Sequence, residues 1–150
     1  MFGCNLFPIE KGEERVDIYY SQMTPVVKQI VSMVRNEKPV VYGVLDEEKV
    51  LLDLKEIYYF EAVDRKVFAY TEGHVYQVSN TLAVLERELE DYGFVRISKA
   101  GLVNIYALKR IRPEPNMRIS AVLKNGEKLQ INRGYKRSFE DYLKHVRDSI

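Results

Sequence analysis

The sequence predicts a mainly β fold of the α+β class, because its apolar residues fall in short runs that are separated by turn signals. The runs VVYGVL, KVLLD and IYYFEA follow one another within residues 40–62. Two hairpins are predicted downstream, one around Glu72 and Gly73 and one around Asn125 and Gly126. Asn-Gly between two apolar runs is typical of a type I′ turn. A chain of 150 residues is long enough for one domain with its own core and a modest extension.

A strand and an amphipathic helix are predicted ahead of this β-rich region. Apolar and polar residues alternate over residues 15–20, as in a half-buried strand. Thr24 is a candidate N-cap and Pro25 suits the first helical position, so we expect a helix over residues 24–35. Its apolar stripe consists of Val26, Val27, Ile30, Val31 and Val34. Residues 1–39 are therefore predicted to form a strand-helix extension, with a boundary at residues 36–39, and residues 40–150 the main domain.

Two further helices are predicted within the main domain. The first is capped by Ser79 or Asn80 and stopped by Gly93, with Leu82, Leu85, Leu89 and Tyr92 on its apolar face. The second follows Asn132 as a candidate cap and buries Tyr135, Phe139, Tyr142 and Val146.

The start of the last helix is basic. Arg133 falls in the first turn, beside backbone N–H groups that have no helical partner, and Lys136 and Arg137 follow one turn later. Unpaired N–H groups and the positive end of the helix dipole favour an anionic partner such as phosphate. A solvated basic edge on a C-terminal helix is the purely structural alternative.

The charge of the chain is polarised although its net value is only +1. Residues 94–150 hold 13 Lys and Arg against five Asp and Glu, whereas residues 1–93 hold 10 against 17. Such a distribution allows one basic face for a nucleic acid, while chance clustering of solvated charges remains the alternative.

The chain lacks the residue patterns of an enzyme, a metal site or a membrane protein. Cys4, His74 and His145 have no metal-ligand spacing, and the segment NRGYK is too short for a phosphate-binding loop. No apolar run is long enough to span a bilayer, and the N-terminus lacks the features of a signal peptide. A single cysteine fits a reducing compartment. We therefore expect a cytoplasmic protein with no catalytic activity and no cofactor.

Three ordered segments resemble the LytTR DNA-binding domain family. They are IYYFEA with VFAYT in residues 57–71, FVRISKAGLVN in residues 94–104 and LQINRGYKRSFEDYL in residues 129–143. The resemblance extends from about residue 45 to the end of the chain. It implies small antiparallel sheets with short peripheral helices, and recognition of direct-repeat promoter elements by loops that enter successive major grooves. The chain would thus be a bacterial transcription regulator that binds double-stranded DNA.

The family's DNA-facing elements correspond to three places in this chain. The residues that the resemblance assigns to DNA are Arg65, Lys66, Arg96, Ser98, Lys99, Asn132, Arg133, Lys136 and Arg137. Arginine suits guanine edges, and lysine or serine suits phosphates. Whether Arg65 or Lys66, which follow Asp64, reaches a base stays open. Ala100 stands where the family often has a hydroxyl, and Asn132 where serine is usual, whereas Asn104 matches a signature that favours a structural role.

The short region before the domain resembles the extension of stand-alone family members, which have no phosphorylated receiver. Some of those members are encoded with small membrane proteins that restrain them. The apolar helix face at residues 24–35 could pack on its own domain, pair two chains as a homodimer, or dock such a membrane regulator. We predict that it helps to pair two chains, because direct repeats suit two DNA-binding units.

Two other function classes fit parts of the sequence. The basic half could bind an acidic partner protein without DNA readout. Alternatively, Tyr58, Tyr59, Phe68 and Tyr70 could stack RNA bases on a sheet face, although strand aromatics are more often core residues.

Overall fold

The structure is a computed structural model that describes residues 2–35 and 39–148. Its helices are α1 (Pro25–Arg35), α2 (Leu82–Glu88) and α3 (Lys136–Asp148). The first five strands are β1 (Val41–Leu45), β2 (Glu48–Leu52), β3 (Tyr59–Val63), β4 (Lys66–Tyr70) and β5 (Val75–Val78). The other five are β6 (Phe94–Ser98), β7 (Gly101–Asn104), β8 (Leu108–Glu114), β9 (Arg118–Leu123) and β10 (Lys128–Ile131). The mainly β prediction is therefore confirmed.

The strands form two antiparallel sheets. The larger sheet has the order β2-β1-β5-β4-β3-β7-β6, and the smaller has the order β10-β9-β8. Cross-strand pairs such as Phe60 with Leu102 and Tyr59 with Val103 place alternate residues on opposite faces of the larger sheet. Both faces therefore carry apolar residues around β3, β6 and β7, and each needs a cover.

One face of the larger sheet is covered by α2. Leu82, Leu85 and Leu89 are buried against a cluster that includes Phe60 and Phe94. The rings of these two phenylalanines lie 5.5 Å apart at a tilt of 51°. The helix α2 ends at Glu88, earlier than predicted, and Gly93 with φ 97° ends the 3₁₀ turn Glu90–Tyr92 that follows it. A Cβ at Gly93 would lie 2.5 Å from the Tyr106 ring.

The opposite face is covered by the smaller sheet and α3. Ile119, Ala121, Leu123, Ile131 and Phe139 are buried in one cluster with side chains of β3, β6 and β7. Phe139 is fully buried, as the predicted stripe of α3 requires. Two stacked rings from β3 and β4 border this cluster: Tyr59 is 8% exposed and lies 4.4 Å from Tyr70 between centroids. Tyr59, one of the four aromatic residues of the RNA-stacking alternative, is therefore a core residue, whereas Tyr58, Phe68 and Tyr70 are half-buried.

The extension packs through α1 against its own domain. Val27 is 3% exposed, and Lys28 Nζ lies 3.4 Å from Asp91 Oδ1 in the 3₁₀ turn that follows α2. Gln29 Nε2 donates a hydrogen bond to the Asp91 carbonyl. The predicted helix is confirmed. Part of its apolar stripe is buried within the single chain, whereas Val34 remains 56% exposed.

Two local predictions are wrong. No strand forms at residues 15–20: Val16 and Tyr20 are each 55% exposed, and a strand without a hydrogen-bonded neighbour is not stable. The cap of α2 is Thr81, whose Oγ1 accepts from the Val84 N–H at 3.2 Å, rather than Ser79 or Asn80. Ser, Thr and Asn cap comparably, so composition alone did not distinguish these positions.

The turn between β9 and β10 is also not of type I′, because Gly126 has φ 91° but Asn125 has no positive φ. The Gly126 N–H donates to the Leu123 carbonyl at 2.9 Å, and the Leu123 N–H donates to the Glu127 carbonyl at 2.8 Å. This is a type I turn followed by a left-handed glycine. The predicted boundary at residues 36–39 lies mostly outside the described residues.

Asn104 is the only buried polar residue among the described side chains. Its Nδ2 donates to the Ile57 carbonyl at 2.9 Å, and its Oδ1 accepts from the Tyr106 N–H at 3.0 Å. These bonds join the start of β3 to the segment after β7, which is the structural role that the sequence favours.

We predict that Asn104→Ala lowers the free energy of unfolding by about 1–3 kcal/mol, because it leaves the buried Ile57 carbonyl and the partly buried Tyr106 N–H without their side-chain partner. Asn132→Ala is the matched control, since Asn132 is exposed and its side chain makes no capping bond. Urea denaturation of both variants measures the difference. Equal stability of the two variants would contradict the structural role of Asn104.

Candidate nucleic-acid interface

The first element assigned to DNA is the turn between β3 and β4. Val63 pairs with Lys66, and the two residues between them, Asp64 and Arg65, have φ values of 50° and 66°. Two consecutive positive φ values define a type I′ turn, a backbone that glycine, asparagine and aspartate adopt most readily and that is strained for Arg65. Asp64, Arg65 and Lys66 are all exposed. The turn therefore presents Arg65 and Lys66 at the end of the hairpin.

The second element is the turn between β6 and β7. The Ser98 Oγ accepts a hydrogen bond from the Ala100 N–H at 3.2 Å, which closes the turn and leaves Lys99 exposed at its tip. A Cβ at Gly101 would lie 3.0 Å from this Oγ, so glycine allows the close approach. Ser98 thus shapes the turn, and Lys99 is its exposed cation.

These two turns lie side by side. β3 and β7 are antiparallel neighbours, with Glu61 opposite Gly101. One residue further, the Ala62 N–H donates to the Ala100 carbonyl at 2.8 Å. The end of β3 and the start of β7 therefore coincide, which brings Arg65 and Lys99 to the same end of the larger sheet.

The third element follows β10. The Asn132 N–H donates to the Ile97 carbonyl at 3.0 Å, so the junction between β10 and α3 lies against the end of β6. A 3₁₀ turn, Arg133–Tyr135, then leads into α3. Asn132 occupies the predicted cap position, but its exposed side chain makes no capping bond. Its amide and the exposed Arg133 guanidinium are thus available to a ligand.

The first turn of α3 adds two cations of different exposure. Arg137 is exposed. Only 22% of the Lys136 side chain is exposed, and its Nζ lies 4.0 Å from Glu140 Oε1. Lys136 is consequently the more restricted of the two.

Arg96 differs from the other predicted residues because it lies within β6 and packs toward α2. Its side chain is 18% exposed, and Nη1 lies 3.9 Å from Glu86 Oε1. The Arg96 Nε is buried without a hydrogen-bond partner. It borders a cleft of about 540 Å³ between α2, β6 and α3. The structure therefore brings together the predicted turn residues but places Arg96 behind them.

Arg118 belongs to the same end, although the sequence analysis did not single it out. Ile119 pairs with Ile131, the residue before Asn132, so the exposed Arg118 lies beside the start of the third element. The antiparallel hairpin predicted around Asn125 and Gly126 contained this signal, since it places the first residues of β9 opposite the last residues of β10.

The opposite end of the larger sheet carries acidic turns. Strand direction places the β1–β2 and β4–β5 connections there. Asp46 and Glu47 have φ values of 51° and 67°, nearly the same backbone as Asp64 and Arg65 but with two carboxylates. The sheet thus has one cationic end and one acidic end, as polarised charge predicts.

Other kinds of site find no support in the part of the chain that the structure describes. No group of three or more His, Cys, Asp or Glu side chains there could hold a metal ion. None of the helices within residues 2–35 and 39–148 is long and apolar enough to cross a membrane.

Comparison with protein families decides the classification. The family model described as the LytTr DNA-binding domain matches residues 47–144. The chain belongs to the LytTR family. The match confirms the resemblance drawn from the three sequence segments, and it covers all three cationic elements.

Two similar sequences are named as a sensory transduction protein and as a transcriptional regulator. This chain is 30% identical over 134 residues to the sensory transduction protein LytT of Bacillus subtilis (strain 168), covering 87% of this chain and 56% of that protein. It thus spans about half the length of that relative. It is 27% identical over 146 residues to an uncharacterized HTH-type transcriptional regulator of Staphylococcus aureus (strain bovine RF122 / ET3-1), covering 95% of this chain and 99% of that protein.

A solved LytTr DNA-binding domain of a response regulator from Bacillus cereus has the same fold, with a TM-score of 0.67 and 24% identity. The structural match covers 71% of this chain and 97% of the solved Bacillus cereus chain. In the LytTR fold seen here, α2 and α3 are separated by β6–β10, so these helices do not form a helix-turn-helix. Most candidate residues lie on or beside exposed turns, whereas Arg96 lies in β6 and Lys136 and Arg137 lie in the first turn of α3.

Proposed function

We propose that this LytTR chain is a sequence-specific transcription regulator that recognises direct-repeat promoter elements through turns inserted into the major groove. Its family is one of DNA-binding domains, and similar chains are transcriptional regulators, so DNA binding in regulation is the class of function. The observation that carries the finer proposal is the convergence of three cationic elements at one end of the larger sheet.

The exposed residues at the turn tips are proposed to contact bases. Arg65 and Arg133 suit the O6 and N7 acceptors of guanine, and the Asn132 amide suits adenine. Arg65 projects from a turn between two paired strands. Asn132 is held by the bond from its N–H to the Ile97 carbonyl, and Arg133 follows it in a 3₁₀ turn, so these backbone positions are set before DNA binds. The freedom lost on binding is then confined mostly to side chains.

The remaining cations are proposed to contact phosphates, which positions the protein without specifying sequence. Lys66, Lys99, Arg137 and Arg118 are exposed at this end of the domain. Lys136 contributes its charge from a more restricted position. Arg96 and Ser98 act from β6: the serine closes the turn that carries Lys99, and the arginine supplies positive charge behind it.

A regulator of this type acts in the cytoplasm on two adjacent half-sites, and we propose that two chains pair as a homodimer through the N-terminal extension. The outer residues of α1, with Met33 78% exposed, offer a surface for a small membrane regulatory protein. A chain that works by these contacts needs no catalytic group.

Selection from random duplex DNA tests the proposal. Recovery of a short direct repeat is expected, and its affinity should fall by roughly a thousandfold or more between about 50 and 200 mM salt if about 6–10 phosphates are contacted. Equal affinity for unrelated duplexes, or binding that does not respond to salt, would favour the alternative of a basic module for an acidic protein partner.

Arg133→Ala should lower discrimination against a substituted half-site by about 1–3 kcal/mol, because a base-reading arginine is lost. Lys99→Ala should weaken matched and unmatched duplexes about equally, as expected for a phosphate contact. Lys55→Ala is the control, since Lys55 is an exposed cation outside the three elements. Fluorescence anisotropy with matched and substituted duplexes measures all three, and unchanged binding by Arg133→Ala would move base readout elsewhere.

A further inference from the structure

The larger sheet has an uncovered apolar area beyond the part that the smaller sheet and α3 bury. Tyr42 and Val44 of β1, Leu51 of β2 and Val75 of β5 are between 44% and 62% exposed. Cross-strand pairing of Tyr42 with Leu51 and of Tyr70 with Val75 places them on the face that carries Tyr59 and Tyr70. We name Tyr42, Val44, Leu51 and Val75 the outer-strand patch.

The strand β2 bordering this patch is an edge strand of the sheet. A two-residue turn joins β1 to β2, with Leu45 opposite Glu48 and Gly43 opposite Val50. Alternation in an antiparallel ladder directs the backbone groups of Lys49 and Leu51 away from β1. An extended segment placed beside β2 would find these N–H and C=O groups available.

Residues 13–20 of the N-terminal segment contain no helix, turn or bend and pair with no strand in the described chain. Arg15 Nε lies 3.1 Å from Asp17 Oδ2, a contact between residues two apart that an extended backbone allows. Apolar residues at 16, 18 and 20 alternate with others, the pattern that predicts a strand although no neighbouring strand is present. The segment and the edge of β2 therefore each lack the partner that the other offers.

The apolar surface of this segment is large enough to matter. Its exposed large apolar side chains are Phe2, Leu6, Phe7, Ile9, Val16, Tyr19, Tyr20 and Met23, at 43–94% exposure. Within residues 15–20 these side chains are Val16, Tyr19 and Tyr20. With roughly 150–250 Å² for a whole large side chain, they expose on the order of 400 Å², and the outer-strand patch exposes a similar area. A reciprocal pair covers both on each chain, which approaches the roughly 800 Å² per partner that a stable pair of proteins buries.

We infer that residues 15–20 of one chain add as a strand to β2 of a second copy and cover its outer-strand patch. In the single chain Ile18 is half-buried and the other residues of this segment are exposed, while α1, which follows it, is anchored by Lys28 and Gln29 at Asp91. Reciprocal exchange gives two identical contacts, as two-fold symmetry requires. This inference specifies the proposed pairing of two chains and assigns it to the segment before α1, rather than to the helix face.

Cross-linking of single-cysteine variants tests the contact. In a Cys4→Ser background, a chain with Ile18→Cys is mixed with a chain carrying Leu51→Cys and treated with a short bismaleimide. A cross-linked pair of one chain of each kind is expected. Met117→Cys, which replaces an equally exposed apolar residue on the β8–β9 connection, is the control and should not link to Ile18→Cys.

A chain carrying both Ile18→Cys and Leu51→Cys distinguishes the occupant. Cross-linking within a monomer would show that the occupant of the outer-strand patch is not a second copy, because the segment would then cover the β2 of its own chain. Absence of any link between these positions, within or between chains, would overturn the docking surface.

Sedimentation gives an independent measurement. The full chain should be a dimer at tens of micromolar, Leu51→Lys should be a monomer, and Met33→Lys on the outer side of α1 should remain a dimer. The inference would be overturned if the unmodified chain were a monomer. It would also be overturned if Met33→Lys were a monomer while Leu51→Lys remained a dimer. Leu51→Lys should keep the affinity of the unmodified chain for a duplex with one half-site. If no variant binds that duplex, whether it is a dimer or a monomer, then the proposed function is wrong and the pairing of chains is judged separately by sedimentation.

Discussion

Two backbone hydrogen bonds near the end of β6 fix the arrangement of the three cationic elements. The Ala62–Ala100 bond extends the β3–β7 ladder by one step, and the Asn132–Ile97 bond attaches the unit made of β10 and α3 to the larger sheet. Because main-chain groups make both bonds, the identity of the exposed side chains does not affect them. The scaffold can thus hold Arg65, Lys99 and Arg133 close together while those side chains remain available to DNA.

Burial on both faces of the larger sheet explains why this scaffold is rigid where it needs to be. Phe60 and Phe94 face α2, whereas Tyr59 and Val103 of the neighbouring positions face the smaller sheet. A one-residue slip of β3 would move both sets to the wrong cover. Register is therefore strongly specified at β3, β6 and β7, the strands whose ends carry the turns. It is less protected at β2, where one face and one edge are open.

Sequence patterns predicted the elements with strong periodicity and failed where several local solutions were comparable. The apolar stripe of α3 follows from burial and is confirmed, whereas α2 ends at Glu88 and Gly93 ends only the 3₁₀ turn after it. The type I′ turn at Asp64 and Arg65 contains no glycine, so the sequence pattern does not predict it. Strand pairing on both sides imposes this backbone. The position of Arg96 behind the turns depends on packing against Glu86, which spacing does not encode. The membership in the LytTR family, by contrast, was visible from three ordered motifs.

The proposed DNA contact at the cationic end of the larger sheet is measured residue by residue by amide chemical shifts. The ¹⁵N-labelled chain is titrated with its selected duplex at moderate salt. We expect the largest shifts at residues 64–66, 98–100 and 132–137, and little change at Asp46, Glu47, Glu72 and Gly73 at the acidic end. Dominant shifts at that acidic end, or along α1 with the turns unchanged, would contradict it.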